Sequence, residues 1–435
     1  MFLFPSVSRS QNPLITDQFT ADPTARVFQG KVFVYPSHDI PVEPGKGRPG
    51  WFCMADYHVF SSENLSDWTD HGVIVSQKKV PWADSSAYSM WAPDCVERNG
   101  KYYFYFPAPA RVKEGRRGMS IGVAVSDSPS GPFTPEPEPI AGVGGIDPNV
   151  FIDKDGQAYL YWAGMGAMSA AKLKDNMTEL ATERQVIQDL PKGMKEGPFV
   201  FERNGIYYFT YPHVENKIER LEYAVGDNPL GPFQFKGVIM DESPTGCWTN
   251  HHSVLEYKGQ WFLFYHHNDL SPHFDKNRSI RADSLFFEPD GSIRKVVPTL
   301  RGAGITPADR KIQIDRHTAL DTSGASIAFL DTSDRFLGWK TELRKPGAWI
   351  RYNSVDFGTA GFGSVVVCAV SESGGTVEIR SCNPDGRLIA RVTVSPGPDW
   401  TLAQSALANR TSGVRNVCVS LIQGGPVAVD WIRFE

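Results

Sequence analysis

Apolar and aromatic residues in the first three hundred positions fall into paired short runs, and five of the pairs share one layout. Each opens on an apolar, β-branched run, turns through a polar stretch ending in glycine, and returns through a run rich in Tyr, Phe and Trp. The segments are 22–35, 91–105, 147–161, 196–211 and 251–265, with turn glycines at Gly30, Gly100, Gly156, Gly205 and Gly259. This layout predicts a β-hairpin. A second phrase follows most copies, at 59–68, 123–133, 222–233 and 281–291: a strand runs into an Asp/Asn, Pro and Gly turn and resumes after an aromatic. Hairpins and outer pairs together predict five four-stranded blades between about residues 12 and 302, the arrangement of a five-bladed β-propeller. The first strand of each blade then lines the central channel. The residue eight or nine positions before each turn glycine should therefore stand at one channel mouth, and these residues are Asp22, Trp91, Asp147, Glu196 and His251.

From about Ile312 to Glu435 the pattern changes to shorter, cleanly alternating strands, at 361–370, 376–380, 388–394 and 417–422. Alternation with Gly, Pro and Asn turns predicts a β-sandwich of jelly-roll type. The linker is read at 300–309, giving a propeller domain over 1–305 and a sandwich domain over 306–435. The fold class is all-β.

Length supports the division, since 435 residues exceed what one hydrophobic core serves. The formal net charge is −5 with no basic run, which excludes nucleic acid as a partner because phosphate binding needs clustered Lys and Arg. No apolar run reaches membrane-spanning length. A monomer is expected. Cys53, Cys95, Cys247, Cys368, Cys382 and Cys418 show neither paired metal-ligand spacing nor a disulfide framework, and they read as small hydrophobes within strands. The opening Met1-Phe-Leu-Phe-Pro-Ser-Val lacks a charged n-region and a full apolar h-region, so no intact secretion signal is visible.

Three of the five residues at the channel mouth are carboxylic acids. Gathering Asp22, Asp147 and Glu196 is electrostatically costly, because like charges disfavour ionisation of at least one. Glycoside hydrolysis uses that cost: one carboxyl stays protonated to donate to the leaving oxygen, while another stays ionised to activate water or attack the anomeric carbon. Glu196 stands before Gly197-Pro198-Phe199 with little polar support, which suits the neutral acid. Asp22 and Asp147 each precede a proline, which fixes the exit of the chain. One acid before a turn is usually a solvated turn former. Three at equivalent repeat positions, with His251 at a fourth, are not explained by turn chemistry.

At these residues the chain resembles glycoside hydrolase family 43, on Ala21-Asp22-Pro23, Trp91-Ala-Pro-Asp94, Asp147-Pro148, Glu196-Gly-Pro198 and His251-His-Ser253. The resemblance covers nearly all of the first 300 residues. It implies a five-bladed propeller that inverts anomeric configuration, with Asp22 as general base, Asp147 as modulator of the acid's pKa, and Glu196 as general acid. It implies substrate-binding roles for Trp91, for His251 on the channel axis beside a calcium ion or water, and for Arg278; Arg281 has weaker support. His252 should point away as a structural residue. No cofactor is implied for the chemistry. The second domain resembles a family 6 carbohydrate-binding module in 352–358, 375–380 and 429–434, with Trp339 and Trp400 as candidate sugar-stacking aromatics. Such modules bind a structural calcium through acids near both ends, here Asp315 and Asp430, although Gln313 stands where an acidic pair is typical. The implied substrate is a plant cell-wall polysaccharide or oligosaccharide. The expected activity is exo removal of α-L-arabinofuranose from arabinoxylan, with β-D-xylosidase or galactose-specific action as the alternatives. The family resemblance favours a secreted or periplasmic location.

Two readings of other classes compete. A propeller that binds glycans without cleaving them has no need of a protonated Glu beside two Asp residues. A protein-interaction propeller predicts no polar convergence at the mouth.

Overall fold

A computed structural model of the protein describes residues 11–111, 118–164, 166–193, 196–359, 361–381 and 386–435. The expectations attached to the opening seven residues and to Cys382 lie outside these residues.

The hairpins form where a residue able to adopt positive φ precedes the turn glycine. Gln29–Gly30, Asn99–Gly100, Asn204–Gly205 and Lys258–Gly259 all have both φ angles between 51° and 85°. Two consecutive left-handed residues make the tight turn whose twist matches that of antiparallel strands. Around these turns lie five four-stranded antiparallel sheets, each in chain order. Their inner strands are Ala21–Phe28, Asp94–Arg98, Ile146–Ile152, Phe199–Arg203 and Ser253–Tyr257. These are the blades of the propeller.

Polar bonds between inner strands fix one blade to the next. Arg26 donates to Asp94 Oδ2 at 2.7 Å, and Asp94 Oδ2 also accepts from Val150 N at 2.6 Å and Asn149 Nδ2 at 3.0 Å. Asn149 Oδ1 accepts in turn from Val200 N at 2.9 Å. Between the last blade and the first, Ser253 Oγ accepts from Ala25 N at 2.9 Å and donates to the Pro23 carbonyl at 2.8 Å. Each strand of blade one comes from the same stretch of chain, so side-chain bonds, not a shared sheet, close the ring. His252 lies fully buried beside Thr210 Oγ1 at 2.6 Å, a structural position.

The chain separates into two compact units, one of Gln18–Glu63 with Thr69–Pro298, the other of Thr299–Glu435 with Met1–Asp17 and Asn64–Trp68. The second unit thus begins a few residues before the sequence-based division at 305 and takes in the start of the chain. Asn12 explains this: its N–H donates to the Leu300 carbonyl at 3.0 Å and its amide to the Thr299 carbonyl at 2.8 Å. The unit is a sandwich of two sheets. One runs through Trp349–Asp356, Val414–Gly424, Gly375–Ser381 and Leu388–Val394, the other through Trp339–Leu343, Val427–Phe434, Ser364–Ser371 and Gly397–Ala406. Ile350, Val367, Val377, Val419, Val429 and Ile432 fill the layer between them. Trp339 is not a free sugar platform: it is buried, stacked on Phe329 at 5.2 Å, with the Arg316 guanidinium 3.7 Å from its ring centre. Trp400 is 40% exposed.

Candidate active site

The three acids reach one mouth through a repeated backbone move. In blades one, three and four the residue before proline has positive φ: Asp22 at 48°, Asp147 at 56° and Gly197 at 64°. For a non-glycine residue this conformation costs about 1–3 kcal/mol and persists where the surroundings enforce it. In blade four the left-handed step falls on glycine, and the acid sits one residue earlier as Glu196. A Cβ at Gly197 would lie 2.7 Å from Pro212 Cδ and 3.2 Å from His251 Nδ1, so no larger residue fits.

Asp22, Trp91, Asp147, Glu196, His251 and Arg278 line one cavity of about 230 Å³. Asp22 is held from two sides. Its carboxylate accepts from Arg278 at 2.7 and 3.2 Å, and its backbone N–H donates to His266 Nδ1 at 3.0 Å. His266 Nε2 lies 2.9 Å from the Thr249 carbonyl, so the ring carries its proton there and presents a lone pair to Asp22. Burial, and then the Arg278 charge, push the His266 pKa down to about 3, which keeps the ring neutral. Burial, the largest influence, would raise the Asp22 pKa, but Arg278 together with His266, His251 and the Ser37 hydroxyl outweighs it and holds the carboxyl below its usual range. Arg278 is positioned by Asp39, which accepts from its Nε, its Nη2 and its backbone N–H at 2.8–3.0 Å.

Asp147 bridges blades two and four, accepting from Ala92 N at 3.2 Å and Gly197 N at 2.9 Å. Burial raises its pKa against those two donors and the nearby His251. Glu196 differs. Among the described residues no group hydrogen-bonds its carboxyl, and burial followed by the charges of Glu219, Asp147 and Asp22 pushes its pKa well up. The cavity therefore sets a carboxyl whose pKa is lowered, Asp22, with one whose pKa is raised, Glu196, the pairing that acid–base hydrolysis of an acetal requires.

The repeat pattern misses several cavity residues. Glu219, the first residue of the third strand of blade four, lines the cavity at 4% exposure, and its pKa is raised to about 8 by burial together with the Asp147 and Asp22 charges. Trp51, Phe52, Met54 and Trp248 complete the wall, with Phe52 and Trp248 stacked at 6.2 Å and the Arg278 guanidinium 4.6 Å from the Phe52 ring. Arg281 does not line this cavity. It is buried beside His267 Nδ1 at 2.8 Å and Asp269 at 3.4 Å.

Asp315 and Asp430 lie in the sandwich unit. The Gln313 side-chain amide places one terminal atom 3.1 Å from Asp430 Oδ1, 2.9 Å from the Asp430 carbonyl and 3.3 Å from Asp315 Oδ1. As nitrogen it donates to all three; as oxygen it joins a cluster of four oxygens. His251, Asp315 and Asp430 belong to neither of the clusters of three metal-ligating side chains found among the described residues, at His38, Asp56, His58 and at His213, Glu215, Glu222.

A cavity at the mouth of a propeller that gathers carboxyls whose pKa values are pushed in opposite directions is that of a glycoside hydrolase. Residues 10–293 match the family model described as "Glycosyl hydrolases family 43", and residues 322–435 match "Carbohydrate binding module (family 6)". The Humicola insolens "Xylosidase/arabinosidase 43A" is 40% identical over 65% of this chain and 98% of its own length. A beta-xylosidase/alpha-arabinofuranosidase from a compost microbial metagenome, solved with xylotriose, superposes with a TM-score of 0.60 at 37% identity, covering 67% of this chain and 98% of that one. A Bacillus subtilis arabinoxylan arabinofuranohydrolase, solved with cellotetraose, covers 98% of this chain and 97% of its own, with a TM-score of 0.58 and 25% identity. The chain belongs to glycosyl hydrolase family 43.

Proposed function

We propose that this protein is an inverting exo-glycosidase that releases terminal α-L-arabinofuranose from arabinoxylan-type glycans. The opposed protonation of Asp22 and Glu196 in one small cavity carries the reading. Water is activated by Asp22, which takes one of its protons as the oxygen attacks the anomeric carbon. The glycosidic C–O bond breaks, and the leaving oxygen takes the proton of Glu196. Asp147, pinned between the blade-two and blade-four backbones, orients Glu196 through Gly197 and opposes its ionisation. Arg278 keeps Asp22 charged, and Trp91 and His251 face the sugar.

A void of about 230 Å³ is small beside the roughly 300–1,000 Å³ of sites for drug-sized ligands, which favours a terminal sugar over an internal stretch of polymer. The names of the similar xylosidase/arabinosidases support β-D-xylose as a second sugar for the same cavity. The test is a comparison of nitrophenyl α-L-arabinofuranoside and β-D-xyloside, followed by arabinoxylan. Free arabinose should be released with little fall in viscosity. Chain shortening without monosaccharide, or inertness toward every pentoside, would refute the reading.

The sandwich domain is proposed to hold glycan across the exposed Trp400, which borders an open groove of about 500 Å³ with Lys340, Glu342, Arg344 and Glu372. The same domain is proposed to hold a structural calcium. Hard cations take six to eight oxygen ligands, and carboxylate, main-chain carbonyl and side-chain amide oxygens all serve. Asp315 Oδ1, Asp430 Oδ1, the Asp430 carbonyl and the Gln313 amide oxygen would supply four of these, with Gln313 a ligand in place of an acid and water completing the shell. Calcium would add to the positive charge that Arg316 brings to Asp315 and tie the turn at 313–316 to the last strand of the module. Chelation should lower the melting temperature and added calcium restore it; Gln313→Leu should abolish the response. A melting curve indifferent to chelator would show that the site holds no calcium, with the Gln313 amide nitrogen donating to both acids and Arg316 paired with Asp315 at 2.7 Å.

A further inference from the structure

Glu219 is a buried acid for which the reaction just described has no use. Its backbone N–H donates to the Trp248 carbonyl at 3.0 Å, and its Oε2 accepts from Asn250 N at 2.7 Å, so the segment ahead of blade five holds it on two sides. No hydrogen bond to its other carboxyl oxygen exists among the described residues. Arg278, the cation of the cavity, is committed to Asp22 and Asp39. A buried carboxyl with one satisfied oxygen and no cation is a costly element unless something completes it. Since Glu219 lines the same cavity as the acid and the base, the bound sugar is in position to do so.

Resting on the exo-glycosidase reading, we propose that Glu219 is a recognition residue, a carboxylic acid that donates a hydrogen bond to one ring hydroxyl of the terminal sugar and sets which glycosyl residue is accepted. Its raised pKa, about 8, keeps the proton in place through neutral pH. The carboxyl also lies near enough to Glu196 that, when ionised, its charge is the foremost neighbouring one acting on that acid. A protonated Glu219 therefore avoids a second negative charge beside the proton donor. A site built to bond a hydroxyl discriminates strongly against sugars that lack it, because its own polar group is then left unpaired.

The test uses the full chain, with nitrophenyl pentosides and a matched set in which single ring hydroxyls are replaced by hydrogen. Glu219→Gln keeps shape and a donor, and should hold kcat/KM within about tenfold of the parent. Glu219→Ala should lose about 10–100-fold or more, the scale of one buried hydrogen bond. For one deoxy substrate the penalty seen with the parent should disappear in Glu219→Ala, which a structural role would not produce. Melting curves of both variants establish that they fold. Undiminished penalties for every hydroxyl in a folded Glu219→Ala protein would overturn the proposal. A loss confined to substrates with poor leaving groups would also overturn it, by making Glu219 the proton donor. Inertness of the parent toward all pentosides would instead sink the underlying reading of the site.

Discussion

Replacing Glu196 by glutamine is expected to lower the rate on natural glycans by roughly 10²–10⁴-fold, the usual contribution of a positioned proton donor. The loss should be far smaller on dinitrophenyl glycosides, whose leaving group departs as a stable anion. The pH profile gives a second signature. Glu196 acts when protonated, and burial with the surrounding acids raises its pKa, so kcat/KM of the parent falls as pH rises through that raised value. Asp22 acts when ionised, and Arg278 with its other polar neighbours lowers its pKa against burial, so the acid limb falls below the ordinary carboxylate range. Glu196→Gln should abolish the basic limb and leave the acid limb in place. Equal losses on dinitrophenyl and alkyl glycosides would assign the donor elsewhere.

The propeller was legible because its repeat is written in turn chemistry. A residue tolerant of positive φ followed by glycine recurs at Gln29, Asn99, Asn204 and Lys258, and each pair closes an inner hairpin. The spacing from those glycines places Asp22, Asp147 and Glu196 in register, since a strand carries its residues at fixed rise and alternating face. The jelly-roll sheets were visible through alternation alone. Their edges and the grouping of the chain's start with this unit were not, because they depend on single bonds from Asn12 to residues almost three hundred positions away.

The rest of the site lies outside any repeat. Asp39 follows the second strand of blade one and meets Arg278 across 239 positions of sequence. His266 is the penultimate residue of the second strand of blade five, Gln260–His267, where sequence alone makes it one more buried polar residue. Glu219 opens a third strand, a place where the other blades carry no acid in the cavity, so no comparison between copies could single it out. The signal that does is the charge census of the closed cavity: four carboxyls, Asp22, Asp147, Glu196 and Glu219, share it with the single arginine Arg278. That imbalance forces protons onto some of them, and it exists only once the blades have converged.

Replacing Asp22 by alanine should stop hydrolysis of natural and activated glycosides alike, because base-assisted attack by water accompanies departure of every leaving group. A loss of roughly 10²–10⁴-fold is the scale for one positioned base, and the structure argues for the upper end. Removing the carboxylate also leaves Arg278, buried at 3% exposure, with Asp39 as its remaining anionic partner. The space vacated lies where the attacking water sits, so a small anion that needs no base should restore turnover. Azide attacking the anomeric carbon of a dinitrophenyl α-L-arabinofuranoside displaces dinitrophenolate and forms a C–N bond on the opposite face. The product is then the glycosyl azide of inverted configuration, identifiable by NMR. The azide takes this configuration whether Asp22 is base or nucleophile, so the parent enzyme decides between them: first-formed arabinose of retained configuration, read by NMR, would mean that Asp22 is a nucleophile forming a covalent intermediate, with Glu196 serving as acid and then as base.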